Sequence, residues 1–214
     1  MYPEITRDEV FMIATSRLWL RWPQLGDAGL LAELSGDRRV ATMIASWPVG
    51  ASEAYARERV GEMRASNAKG TSLSLVMTKR SNWQVPIGLV GIKLQQDDRG
   101  THGALGYHLS PEHWERGYAS EAVKGLIDMT RLLTRIPRLR ASVVPENTAS
   151  AEVLRKNGFV FAGSGKLETK FRGTVAVDHF ERDLRAIGYD VDGFPISRSL
   201  RPPQTKFESD MRVS

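Results

Sequence analysis

One junction restricts the folds open to this chain more than any other stretch. Leu105 to Leu109 reads as a short apolar strand, Pro111 breaks it, and His113-Trp114-Glu115-Arg116-Gly117-Tyr118-Ala119-Ser120-Glu121-Ala122 leads into a helix. From Tyr118 to Leu133, Ala119, Ala122, Val123, Leu126, Ile127, Thr130 and Leu133 recur at intervals of three and four, forming one face of an amphipathic helix. A strand that runs through a glycine loop into a helix start leaves several N–H groups unpaired and aimed one way, where the helix dipole also favours an anion. The junction reads as a phosphate cradle, and the rest of the chain as its support.

Residues 1–14 have no clear period and read as a leader, although Phe11, Met12 and Ile13 suggest that part of it docks. Arg17 to Trp22 alternates, with Leu18, Leu20 and Trp22 on one face, and Pro23 stops it, which predicts a first strand. Leu30, Leu31 and Leu34 give a helix closed by Gly36, a second short helix covers Asp37 to Ile44, and Ser46-Trp47-Pro48 is a loop with an exposed aromatic. Ala51 to Ala68, with Ser52 as N-cap, is an amphipathic helix closed by Gly70. Ser72 to Lys79 and Ile87 to Gln95 form a hairpin about Ser81-Asn82-Trp83-Gln84, and Asp97 to Gly103 turns into a fourth strand, Ala104 to Leu109.

Beyond the central helix come a short strand, Leu139 to Val144, and a compact helix from Asn147 to Asn157, closed by Gly158 with Phe159 packing back. Lys166 to Phe171 and Thr174 to Leu184 are the last strands, turning at Arg172-Gly173. From Ala186 the composition shifts to Gly, Pro, Ser and Arg, so residues 186–214 read as a tail or arm. Asp190-Val191-Asp192-Gly193 within it lacks the remaining acidic ligands of a calcium loop and reads as a turn. The element order predicts an α+β fold, a mixed sheet with helices on its faces.

At 214 residues the chain suits one domain with a sizeable core. Apolar residues make up 41% and charged residues 26%, ordinary for a soluble globular protein, and no apolar run nears the roughly 18 residues of a membrane span. Met1-Tyr2-Pro3-Glu4 has no basic flank before an apolar core, so no secretion signal is read and a cytoplasmic location is expected. Without cysteine there is no disulfide, thiol nucleophile or Cys-type zinc site. His102, His108, His113 and His179 lack ligand spacing, so no metal is expected. The net charge of +5 suits anionic cofactors or nucleic acid, but the basic residues are scattered, so direct nucleic-acid binding is not expected.

Two motifs in order carry a family resemblance. Pro111-x-x-Trp114-x-Arg116-Gly117-Tyr118-Ala119-Ser120-Glu121-Ala122 and Pro145-x-Asn147-x-x-Ser150-x-x-Val153-Leu154-x-Lys156-x-Gly158-Phe159 together resemble the GNAT family of N-acetyltransferases. More closely, they resemble its branch of ribosomal-protein N-terminal alanine or serine acetyltransferases. Thr15 to Arg21 and Val177-Asp178-His179 are similar to the same branch, so the resemblance implies an acetyltransferase domain at residues 15–185. It implies a mostly antiparallel seven-stranded sheet, splayed between its fourth and fifth strands.

The resemblance also implies acetyl-CoA as co-substrate and a primary amine, above all a protein or peptide N-terminus, as acceptor. The family's pyrophosphate loop falls on Trp114 to Ala119, with Trp114 where Gln or Arg is usual. Backbone N–H groups from Arg116 through Gly117, Tyr118 and Ala119 to Ser120 would hold the phosphates; Gly117 lets the backbone approach and Ala119 keeps the packing close. Asn147 and Ser150 would contact the cofactor, and the strand end at Tyr107 and Leu109 would offer N–H groups to the thioester carbonyl.

Many members carry a tyrosine acid seven residues after the Asn; here that place is Leu154, so the proton-donor role passes to Ser150. The branch's glutamate base aligns with Thr169, which leaves Glu168 one residue out of phase and dependent on a bulge; otherwise water relayed through His108 or Tyr107 deprotonates the amine. Trp47, in preference to Trp83, is expected at the amine pocket. A small-molecule acetyltransferase acting on an antibiotic, amino acid or polyamine, and a non-catalytic acyl-CoA-binding module, stand as alternatives, and a homodimer is left open.

Overall fold

The computed structural model describes residues 1–185 together with the backbone of Ile187–Tyr189 and Pro195–Ser197. Met1–Leu184 pack as one unit. Its elements run β1 (Met12–Ala14), β2 (Leu18–Arg21), α1 (Ala28–Gly36), α2 (Arg38–Ala41), α3 (Glu53–Ala68), β3 (Ser72–Lys79), β4 (Asn82–Asp97), β5 (Gly100–Leu109), α4 (Tyr118–Leu133), β6 (Arg138–Val143), α5 (Thr148–Lys156), β7 (Val160–Thr169) and β8 (Gly173–Asp183). These eight strands form one sheet of order β1-β2-β3-β4-β5-β6-β8-β7.

Neighbouring strands pair antiparallel, except that β5 and β6 run parallel and meet only through Gly103↔Leu139 and Ala104↔Arg140. Beyond those pairs the two strands part. This is the expected α+β sheet with the expected splay, but it has eight strands rather than seven. The additional strand lies within residues 1–14, where Met12 pairs with Arg21 and Ile13 with Leu20. Nearby, Tyr2 is fully buried, with its hydroxyl 3.2 Å from that of Thr130. Three residues are too few to show the alternation that marks a strand in sequence.

Helix α4 supplies the core of one face. Ala122, Val123, Leu126 and Ile127 are fully buried and join Leu18, Leu20, Ile92 and Leu139 in one cluster. At roughly 1.5–3 kcal/mol for each large apolar side chain, this burial is what fixes the helix on the sheet. Helices α1 and α3 cover part of the opposite face through Leu31, Ala56 and Val60 against Val76 and Leu89.

Two turns lie elsewhere than the sequence suggested. Strand β4 already begins at Asn82, so Trp83 and Gln84 belong to it, and β7 runs from Val160 to Thr169, which puts Lys170 and Phe171 in the β7–β8 turn. At β4 the cross-strand ladder extends into polar residues that composition assigns to a loop, whereas at β7 it stops at Thr169↔Gly173. No described helix is long and apolar enough to cross a membrane. Ile187–Tyr189 pairs antiparallel with Pro195–Ser197, while the Asp190-Val191-Asp192-Gly193 turn and the rest of the 186–214 arm lie outside the described residues.

Candidate active site

The loop before α4 is built from alternating backbone handedness. Gly117 has φ of +75° and stands as N-cap with no side-chain bond into the helix, and Glu115 also has a positive φ, +59°. Arg116 between them has a negative φ. Such alternation turns successive N–H groups into one concavity, and the uncapped first turn of α4 adds its own donors. The strain at Glu115, of order 1–2 kcal/mol for a residue with a Cβ, is not visible in its sequence.

Side chains from the turn between β1 and β2 brace this loop. Glu121 accepts from Thr15 Oγ1 at 2.6 Å, from the Arg17 N–H at 2.7 Å and from Arg17 Nε at 2.6 Å. Arg17 Nη1 donates to the Arg116 carbonyl at 3.0 Å, and its guanidinium lies 4.6 Å from the Tyr118 ring centre. At the far side, Asn157 Nδ2 donates to Ser120 Oγ at 3.1 Å, joining the end of α5 to the first turn of α4. Trp114 Nε1 donates to the Leu109 carbonyl at 2.9 Å, which fastens the loop to the end of β5. The indole thus acts on the backbone, consistent with an uncharged residue at this position.

Where β5 and β6 part, donors face the gap. Ser110 N–H donates to the Ile87 carbonyl on β4 at 2.9 Å. Because N–H direction alternates along an antiparallel strand, the N–H groups of Leu109 and Tyr107 point away from β4, towards the opening. On the α5 side, Asn147 caps the helix by accepting from the Ser150 N–H at 3.0 Å. Tyr107 Oη donates to the Ser150 carbonyl at 2.8 Å and lies 2.9 Å from Ser150 Oγ. Burial pushes the Tyr107 phenol above its ordinary pKa, so it stays protonated. Leu154, at the position of the missing tyrosine acid, is fully buried in the core.

A cavity of about 570 Å³ extends from Asn147 and Ser150, past Tyr107 and His108, to Trp47 and Arg59. Tyr107, His108, Asn147, Ser150 and Trp47 are therefore brought together, whereas residues 114–120 are not among its walls. Trp47 is not exposed as expected; it is 3% accessible, its ring edge-on to Tyr55 at 5.5 Å and 6.3 Å from the His108 ring. A Ser-Trp-Pro loop reads as surface, but this one is pulled under α3 by the apolar cluster around Leu31 and Val60. Trp83 is 49% exposed on β4 and lines no part of the cavity.

Of the expected proton acceptors, His108 and Tyr107 line the cavity and Glu168 does not. Glu168 is exposed and accepts from the Thr174 hydroxyl across the strand pair. Its neighbour Leu167 lines the cavity, so strand alternation turns Glu168 outward. A register shift does occur in β7, between Phe161 and Gly163, but it leaves Leu167 in phase with the cavity instead of Glu168. His108 lies under Ser35, with Oγ 2.8 Å from Nε2, and burial pushes its pKa down to about 4. It is neutral at neutral pH and a weak base. His179 also lines the cavity, with Nδ1 2.9 Å from Ser142 Oγ. Its place was open to strand phase, since Val175, Val177 and His179 alternate onto the cavity side of β8.

Residues 17–160 match the acetyltransferase (GNAT) domain family. The uncharacterized N-acetyltransferase p20 of Bacillus licheniformis is 30% identical over 161 residues, 75% of this chain and 89% of that protein. RimJ of Mycobacterium smegmatis, solved with CoA-disulfide, superposes with a TM-score of 0.70 at 20% identity, covering 86% of this chain and 90% of that one. RimL, a ribosomal α-N-protein acetyltransferase solved with coenzyme A, gives a TM-score of 0.69 at 18% identity, with coverage of 81% and 98%. With two thirds of the chain matched by the family, and with the splayed sheet and the glycine loop in place, the chain belongs to the GNAT acetyltransferases, the acetyl-CoA-dependent N-acetyltransferases.

Proposed function

We propose that this enzyme acetylates the α-amino group of a protein or peptide N-terminus. One observation carries the reading: among the described residues lining the cavity there is no Asp or Glu. A polyamine or aminoglycoside would bring several positive charges into such a cavity with nothing to pair them, at a large desolvation cost. A lysine side chain, with pKa about 10.4, would also need a strong base, whereas an α-amine near pKa 8 is partly neutral already. His108, held near pKa 4, suits the second case. RimL, described as an α-N-protein acetyltransferase, shares this fold.

The chain's own groups fit acetyl-CoA at both ends. The N–H groups of Arg116 to Ser120 match a pyrophosphate, and the gap beyond Ala104 and Arg140 admits a narrow thioester arm. Acetyl-CoA, when bound, supplies the acetyl thioester. The Tyr107 and Leu109 N–H groups then polarise its carbonyl. With the Tyr107 proton directed to the Ser150 carbonyl, the Ser150 hydroxyl is free to donate to a developing thiolate. His179 and His108 border the acceptor side, where water carries the amine proton away.

Release of coenzyme A, measured with one peptide bearing a free N-terminus and the same peptide blocked by acetylation, tests this. Turnover of the free peptide alone is expected; equal turnover of both, or turnover of small amines with neither, would refute it.

A further inference from the structure

The cavity carries several cations in its walls. Arg59 of α3, Lys93 of β4, Arg140 of β6 and Arg172 of the β7–β8 turn all line it, and no described carboxylate does. The three arginines differ in how they are satisfied. Arg140 is held by Asp97 and Glu181, each at 3.2 Å, and is a structural member of that network. Arg59 pairs through Nη1 with Glu62 on its own helix. Arg172 has no carboxylate partner among the described residues; its Nη2 donates to the Ile44 carbonyl at 3.3 Å.

Arg59 and Arg172 share a further property. The Nε atom of each is buried and has no hydrogen-bond partner. A guanidinium N–H taken out of water without an acceptor is costly, so each of these two cavity-lining residues keeps donor capacity that no described protein group satisfies.

The two side chains are held on a common rim. Phe171 packs edge-on against Tyr55 at 5.7 Å, placing Arg172 beside α3, and Arg59 stands one helical turn after Tyr55. Tyr55 is in turn fixed by its hydroxyl bond to the Ser46 carbonyl at 2.8 Å and by Trp47. Lys170 Nζ, 5.5 Å from the Tyr55 ring centre, adds positive charge at the same place. The reacting hydroxyls come from other elements, β5 and α5, so the rim reads a part of the acceptor other than its amine.

Resting on the N-terminal reading above, we infer that the preferred acceptor is a peptide whose first few residues after the free amine include an acidic side chain, with the carboxylate accepting from Arg59 and Arg172. A carboxylate matches a guanidinium in both charge and fork geometry.

The test is kcat/KM for three peptides alike except for Asp, Ala or Lys at the second and third positions, with free amino acids as a further arm. The Asp peptide is expected to exceed the Ala peptide by about tenfold or more, with the Lys peptide lowest, and added salt should narrow the ratio. Arg172→Met should bring the Asp-to-Ala ratio towards one, and Arg172→Glu should favour the Lys peptide. Asp and Ala peptides within twofold, or an equal loss for all three in the variants, would overturn the inference while leaving N-terminal acetylation intact. No turnover of any peptide beside turnover of free amino acids would remove both.

Discussion

Tyr107 of β5 and Ser150 of α5 meet across the splayed strands, Oη 2.9 Å from Oγ, although 43 residues separate them. The pair places two hydroxyls at the point where the sheet opens. If this pair stabilises the leaving thiolate, Ser150→Ala should lower kcat by about 10²-fold with little change in acetyl-CoA affinity. Tyr107→Phe keeps the ring and should lower kcat less, about tenfold. Single-turnover rates together with calorimetric binding separate the two quantities. Unchanged kcat in both variants would remove the pair from catalysis.

Gly117 tests the cradle. Its φ of +75° disfavours any residue with a Cβ, and an added carboxylate would also face the phosphates. Gly117→Glu is expected to weaken acetyl-CoA by at least about 10²-fold, whereas Gly117→Asn, which tolerates a left-handed backbone better, should retain more affinity. Titration calorimetry with coenzyme A reads both; wild-type affinity in Gly117→Glu would show that the phosphates lie elsewhere.

Glu121 links the brace to pH. Burial alone would raise its pKa, but bonds from Thr15 and from the backbone and side chain of Arg17 outweigh it and hold the carboxyl below its ordinary value of 4.5. A folded pKa lowered in this way gives stability that is full above the unfolded value and is lost as pH falls through the folded one. Glu121→Gln should therefore lower Tm at pH 7, by about 2–4 °C, and the difference from wild type should shrink as the pH falls through the lowered carboxyl pKa. A difference constant with pH would mean that the charge of Glu121 contributes nothing.

Much of the fold was legible in the sequence because its signals are local. The three-and-four spacing in α4, the Asn147 cap and the Gly158 turn each decide a conformation within a few residues, and the helix faces follow from period alone. The site was legible in part, for the same reason: the cradle is a contiguous loop, and Ser150 sits in the first turn of its own helix. Missed features depend on long-range packing. Trp47 is buried because α1 and α3 close over it, and β1 exists because β2 offers it an edge. The Tyr107–Ser150 pair joins residues that the chain order keeps far apart, and Arg59 and Arg172 line one cavity from distant parts of the chain. Glu168 turns on a single residue of strand phase, which the bulge near Gly163 settles.

The central claim is that the acetyl group goes to an α-amine. Fragmentation mass spectrometry of a peptide carrying both a free N-terminus and an internal lysine, after incubation with enzyme and acetyl-CoA, reads this directly. The acetyl mass is expected on the N-terminal residue with the lysine unmodified; acetylation on the lysine, with the N-terminus free, would contradict the account.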